Sequence, residues 1–93
     1  MITKKTLIAA AKEVADRAPN ARNIGLCMVD RRHPRGFVGR TLHAAGLTPS
    51  QIREIDENRQ HSKFLNPAAT QWVINATRQA NSGKPWSEIA TTR

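Results

Sequence analysis

Gly36-Phe37-Val38-Gly39-Arg40-Thr41-Leu42-His43-Ala44-Ala45-Gly46-Leu47 reads as one short helix punctuated by glycine before it, in its first turn and at its end. Gly46 stands where a left-handed residue closes a helix, and Leu47 supplies the apolar contact that often follows such a stop. The spacing predicts a helix over 37–45. Thr48-Pro49-Ser50-Gln51 comes next and combines a capping threonine, a proline at the first helical position and a capping-box glutamine. It predicts a third helix that turns Ile52 and Ile55 inward and ends near Asn58. Ser82-Gly83-Lys84-Pro85-Trp86 repeats the stop-and-restart and carries a tryptophan.

The rest of the chain is read outward from these signals. Thr3 caps a first helix in which Leu7, Ile8, Ala11, Val14, Ala15 and Ala18 recur at helical spacing, and Pro19 stops it. Ile24-Gly25-Leu26-Cys27-Met28-Val29 is a short apolar run with no visible strand partner, expected to cross the core as an extended segment. Asp30 to Gly36 is expected to be a polar loop, and Arg59 to Leu65 another, with Phe64 and Leu65 tucked inward. Asn66-Pro67 opens a fourth helix to about Ser82, placing Trp72, Val73, Ala76 and Ala80 on one face. Pro85 opens a short last helix with Trp86, Ile89 and Ala90. The expectation is an all-α fold of four to five short helices with an extended connecting segment in the N-terminal half, one domain spanning 1–93.

Ninety-three residues bury about 60–65 % of their unfolded surface, which leaves little interior for an enclosed active site. With 39 % hydrophobic and 4 % aromatic residues, the core is mostly Leu, Ile, Val and Ala, and the two tryptophans are its largest packing units. No apolar run approaches the ~20 residues of a membrane span. The one cysteine, Cys27, forms no internal disulfide, reads as a small buried hydrophobe, and points to a reducing, cytoplasmic setting. Cys27, His33, His43 and His61 lack the tight ligand spacing of a zinc site, and His43 is expected at the core edge with one hydrogen-bond partner. No phosphate-cradling glycine loop or catalytic pair is evident, so no enzyme, cofactor or metal is expected.

Net charge is +8, with nine Lys/Arg against three acids in residues 1–43 and six against four in residues 44–93. Such a field favours acidic partners. Arg31, Arg32 and Arg35 on the polar loop, with Arg40 on the helix it enters, are the candidate binding residues. Guanidinium groups suit bidentate contacts to carboxylate or phosphate, and Arg40 has an alternative internal role against Asp30 or a carboxylate of the third helix. A second candidate is the helical hairpin at Gly46. Ile52 and Ile55 lie six and nine positions beyond it, as in a helix-turn-helix. Leu42 is large where such motifs are small, however. Glu54, Asp56 and Glu57 on the would-be reading helix also oppose phosphate.

The stretch from Gly36 to Leu47, followed by Trp72-Val73, Gln79, Gly83 and Pro85-Trp86, resembles a group of short uncharacterised proteins of actinobacteria and their phages. Their pattern reads G-C-L-V-G-R-x-L-x-x-x-G and then W-L-x-x-x-Q-x-x-x-D-x-G-x-x-W. The resemblance spans about residues 24–90, and no activity comes with it. Phe37 stands where a cysteine is common, and Asn81 or Ser82 where an aspartate is common. A phage-type accessory role implies binding one host protein and altering its work. Two readings follow. One is a non-enzymatic protein that binds a host protein with an acidic surface; the other is a nucleic-acid-binding protein using the same arginines. Oligomeric state is not legible. Burial of Trp72 predicts that Trp72→Ala lowers the unfolding free energy by about 3–5 kcal/mol in a denaturant titration. A change below about 1 kcal/mol would instead make it a surface interaction residue.

Overall fold

Helix boundaries follow the caps. The computed structural model describes residues 1–22, 28–30 and 32–91, with Asp30 described by its backbone alone. In it α1 (Lys4–Arg17) begins under Thr3, whose hydroxyl accepts from Thr6 N–H at 3.2 Å. Helix α2 (Gly36–Ala44) ends in a complete Schellman motif: Gly46 N–H donates to the His43 carbonyl at 3.0 Å and Leu47 N–H to the Leu42 carbonyl at 3.1 Å. Gly46 sits at φ 112°, a conformation in which a side chain is strained. Helix α3 (Pro49–Asn58) carries the capping box in full, Thr48 Oγ1 accepting from Gln51 N–H and Gln51 Oε1 from Thr48 N–H. Helix α5 (Pro67–Asn81) starts at Asn66, whose side chain accepts from Ala69 N–H at 2.8 Å, and closes through the same pair of bonds around Gly83.

Two segments differ from the sequence reading. Residues 59–65 are not all loop: α4 (His61–Phe64) is a single turn, and with the expected short terminal helix α6 (Trp86–Ile89) it brings the total to six helices among the described residues. No side chain caps α4, so nothing local announces it; fully buried Leu65 holds it from behind. The apolar run also finds a partner that the polar loop concealed. Strand β1 (Val29–Asp30) pairs antiparallel with β2 (His33–Pro34), aligning Val29 with Pro34 and Asp30 with His33. Only the last residue of the expected extended segment, Val29, falls in this hairpin, Met28 precedes it, and residues 24–27 lie outside the described ones. The fold is all-α, with one two-residue strand pair.

The core runs along the contact of α1, α2 and α5. Leu7, Ala11 and Ala15 meet Phe37, Val38 and Leu42, with Ala69, Trp72, Val73, Ala76 and Ala80 on the α5 side, Ile52 and Ile55 below α2, and Trp86 and Ile89 closing the far end. Val14 and Ala18 are only half-buried, at the edge of the α1 stripe. The N-terminus is tied down as well. Ile2 bridges Leu65 in parallel, its N–H donating to the Phe64 carbonyl at 2.9 Å and its carbonyl accepting from Asn66 N–H at 3.1 Å. At the other end Trp86 N–H donates to the Ala21 carbonyl, Ser87 N–H to the Pro19 carbonyl, and Arg22 Nη1 to the Gly83 carbonyl. The turn after α1 is thus held by the last helix.

Gly39 is the tightest point. A Cβ built there would lie 2.0 Å from the Met28 carbonyl oxygen and 2.9 Å from its carbon, both backbone atoms that a rotamer change cannot clear. At Gly46 a Cβ would meet nothing within 4 Å, so only the backbone conformation is at stake. Gly39→Ala is expected to destabilise by about 3 kcal/mol or more, at the upper end of overpacking costs. Gly46→Ala should cost about 1–2 kcal/mol. Urea titration of the two variants checks the order, and equal costs would contradict the close approach.

Candidate functional site

The basic loop is built as a hairpin that feeds a helix. Arg32 occupies the turn between β1 and β2, and its side chain is exposed. Arg35 follows β2 as the N-cap of α2 without a side-chain capping bond; its own N–H donates to the Met28 carbonyl at 2.8 Å. That bond closes the hairpin onto the entry of α2 and leaves the Arg35 side chain at the surface. Arg31 lies outside the described residues. The structure thus brings Arg32 and Arg35 onto one short element at the surface, the kind of position from which binding residues act.

Arg40 does something different. Its guanidinium carbon lies 5.6 Å from the centroid of the Trp86 ring, and Phe37, one turn earlier on α2, meets the same ring at 5.8 Å with a 48° interplanar angle. Trp86 is therefore flanked by an aromatic and a cation from one helix face, as the i, i+3 spacing allows. The carboxylates of α3, offered by the sequence reading as internal partners of Arg40, are engaged elsewhere. Asp56 Oδ2 accepts from Met28 N–H at 3.3 Å, Glu54 pairs with Lys63 at 3.3 Å, and Glu57 faces Arg53 at 4.0 Å. The other candidate, the Asp30 side chain, lies outside the described residues.

Arg40 also borders a groove of about 420 Å³ between α1 and α2. Half-buried Val14, Ala18 and Pro34 give it apolar walls, and Glu13, Arg17 and His43 stand at its rim. Glu13 and Arg17 neutralise each other through a 3.1 Å bond, an exposed i, i+4 pair that contributes little to stability. His43 Nδ1 is 3.2 Å from the Leu47 carbonyl. Because a carbonyl only accepts, Nδ1 carries the proton and Nε2 remains as the free position. His43 has its one expected partner, although its ring is more exposed than a core-edge position. The sequence reading missed Val14, Ala18 and Pro34 as groove residues, since their common signal is incomplete burial, which periodicity does not report.

Among the described residues no group of three or more His, Cys, Asp or Glu converges as a metal site, and no helix is long and apolar enough to cross a membrane. Compared with protein-family models, curated proteins and solved structures, the chain matches none. The Trp86 stack makes its own prediction. In a Trp72→Phe background, Arg40→Ala should alter Trp86 emission and lower stability by about 0.5–1 kcal/mol, the worth of an exposed cation–π contact. Unchanged emission and unchanged stability would return Arg40 to the list of residues held for a partner.

Proposed function

We propose that this protein works by binding rather than catalysis, engaging an acidic surface of a partner protein through Arg32 and Arg35 of the basic hairpin and Arg31, their neighbour in sequence, with Arg40 nearby on α2. The observation that carries this reading is the position of Arg32 and Arg35 on the hairpin beside the α1–α2 groove. That groove has apolar walls at Val14, Ala18 and Pro34. Cations next to an apolar cleft match the usual make-up of a protein contact, an arginine-rich anchor beside a pocket for a side chain. The resemblance of the Gly36–Leu47 and Trp72–Trp86 motifs to short actinobacterial and phage proteins suggests an accessory role toward a host protein. The lone Cys27 suits a reducing cytoplasm.

Nucleic acid is the competing partner, and one feature weighs against it. The helix that would read a groove, α3, turns Ile52 and Ile55 into the core and carries Glu54, Asp56 and Glu57, charges that phosphates repel.

The test is capture of partners from host lysate with and without nuclease, using wild-type protein and the Arg31→Ser, Arg32→Ser, Arg35→Ser triple variant. Specific capture that survives nuclease and is lost in the triple variant, with its thermal midpoint within a few degrees of wild type, is the expected result. Capture abolished by nuclease would transfer the reading to nucleic acid. Capture unchanged in the triple variant would remove the hairpin as the site.

A further inference from the structure

A second cleft, of about 670 Å³, lies between α3 and α5 and shares no lining residue with the α1–α2 groove. Met28 and Ile55, both buried, and half-buried Ile74 give it an apolar base. Its rim is cationic and polar: exposed Arg59 at the end of α3, exposed Arg78 in the last turn of α5, and half-buried His61 at the start of α4. The single carboxylate in the lining, Asp56, already accepts the Met28 N–H. Among the described residues the side chains of Arg59, Arg78 and His61 have no hydrogen-bond or ion-pair partner, while Lys63 and Arg53 nearby are matched to Glu54 and Glu57.

From this arrangement we infer that the α3–α5 cleft is a binding site for a small amphipathic organic anion, a carboxylate, sulfonate or phosphate carried on an apolar body. The reasoning is complementary charge over complementary surface. Two guanidinium groups from different helices present fork-shaped donors to one anionic head, and the isoleucine and methionine base removes apolar ligand surface from water. The volume falls within the range of about 300–1,000 Å³ typical of small-molecule sites. A partner's acidic segment would need the same arginines but would not be confined to this volume. The α1–α2 groove is unlike it, since there Glu13 lies in the lining and holds Arg17. The inference stands apart from the hairpin reading and survives its failure.

The probe is 1-anilinonaphthalene-8-sulfonate, whose emission rises when its ring leaves water, with uncharged N-phenyl-1-naphthylamine as the control for apolar affinity alone. Full-length wild-type protein is titrated beside three variants. One is Arg59→Asn with Arg78→Gln, in which asparagine tolerates the left-handed backbone at position 59 (φ 55°) and glutamine keeps the helix propensity of α5. The second is Ile74→Asn, which makes the base polar, and the third is Lys84→Gln, at an exposed position outside the cleft. Saturable sulfonate binding that weakens at least about tenfold in the double variant, the loss expected for charge-assisted hydrogen bonds, and is unchanged in Lys84→Gln supports the site. Binding of the uncharged control should not respond to the arginine changes but should fall in Ile74→Asn. Amide shifts of wild-type protein on sulfonate addition should centre on Ile55, Ile74 and Thr77, a readout independent of whether any variant folds. Equal sulfonate affinity in wild type and double variant, the absence of saturable binding, or shifts centred outside the cleft would overturn the inference. Tighter binding of a Glu-Leu peptide than of the sulfonate, on the same shifted amides, would overturn it in favour of a protein segment as occupant.

Discussion

The carbonyl of Met28 lies against the Cα of Gly39, leaving no room for a side chain at that position on α2. Three elements meet at this one residue. The carbonyl accepts from Arg35 N–H, which closes the hairpin onto the N-terminus of α2, and the Met28 N–H donates to Asp56 on α3. A buried residue must satisfy both of its backbone polar groups. Here one group is satisfied by the segment that follows in sequence and the other by a carboxylate 28 residues away. The backbone of the hairpin and the entry of α2 are therefore positioned together by this contact. Helix α3 is oriented toward both, so the groove on one side and the cleft on the other share Met28 as a common support.

A second set of constraints closes the chain on itself. Trp86 is held by Phe37 and Arg40 from α2, while its N–H reaches back to Ala21 in the turn after α1. Ring packing and backbone bonding act at the same residue, so the last helix and the first turn cannot separate without giving up both. The Ile2–Leu65 bridge does the same at the opposite end, stitching the segment before α1 to the junction of α4 and α5. Small all-helical chains have little interior, and such long-range backbone bonds let short elements like α4 and α6 persist where their length alone would not support them.

What the sequence disclosed, and what it withheld, divides along the same physical line. Caps are local chemistry. Thr48 with Gln51, Asn66 with Pro67, and the glycines at 46 and 83 fix helix ends within a few residues, so α1, α2, α3 and α5 were legible from the chain alone. The β1–β2 hairpin was not, because its pairing involves only two residues on each side and one of them is a proline, which strand patterns discourage. Helix α4 lacks a capping side chain and owes its place to Leu65. Gly39 could be seen as a glycine but not as a contact, since its neighbour is a carbonyl eleven positions earlier in a segment of ambiguous pattern. At the candidate sites, the hairpin arginines were legible as a charge run. The cationic rim of the α3–α5 cleft was not, because Arg59 and Arg78 are far apart in sequence and come to one cleft only through the fold.

The way acids and bases pair sharpens this last point. Fifteen Lys and Arg residues face seven carboxylates, and the carboxylates are not spread evenly over the cations. Glu13 takes Arg17, Glu54 takes Lys63, Glu57 faces Arg53, and Asp56 turns to a backbone N–H. Exposed pairs of this kind add little to stability, so their main consequence is subtractive: they remove particular cations from the field that a partner meets. Screening at physiological salt limits that field to about 8 Å, which makes the local residue of unmatched charge count for more than the net total. Among the described residues this unmatched charge includes Arg32 at the hairpin turn and Arg59 with Arg78 around the cleft. Net charge alone, a property of the whole chain, implies a general affinity for anions. Its distribution after pairing implies addresses: the turn of the hairpin whose Pro34 borders the α1–α2 groove, and the rim of the α3–α5 cleft, which has Met28 at its base.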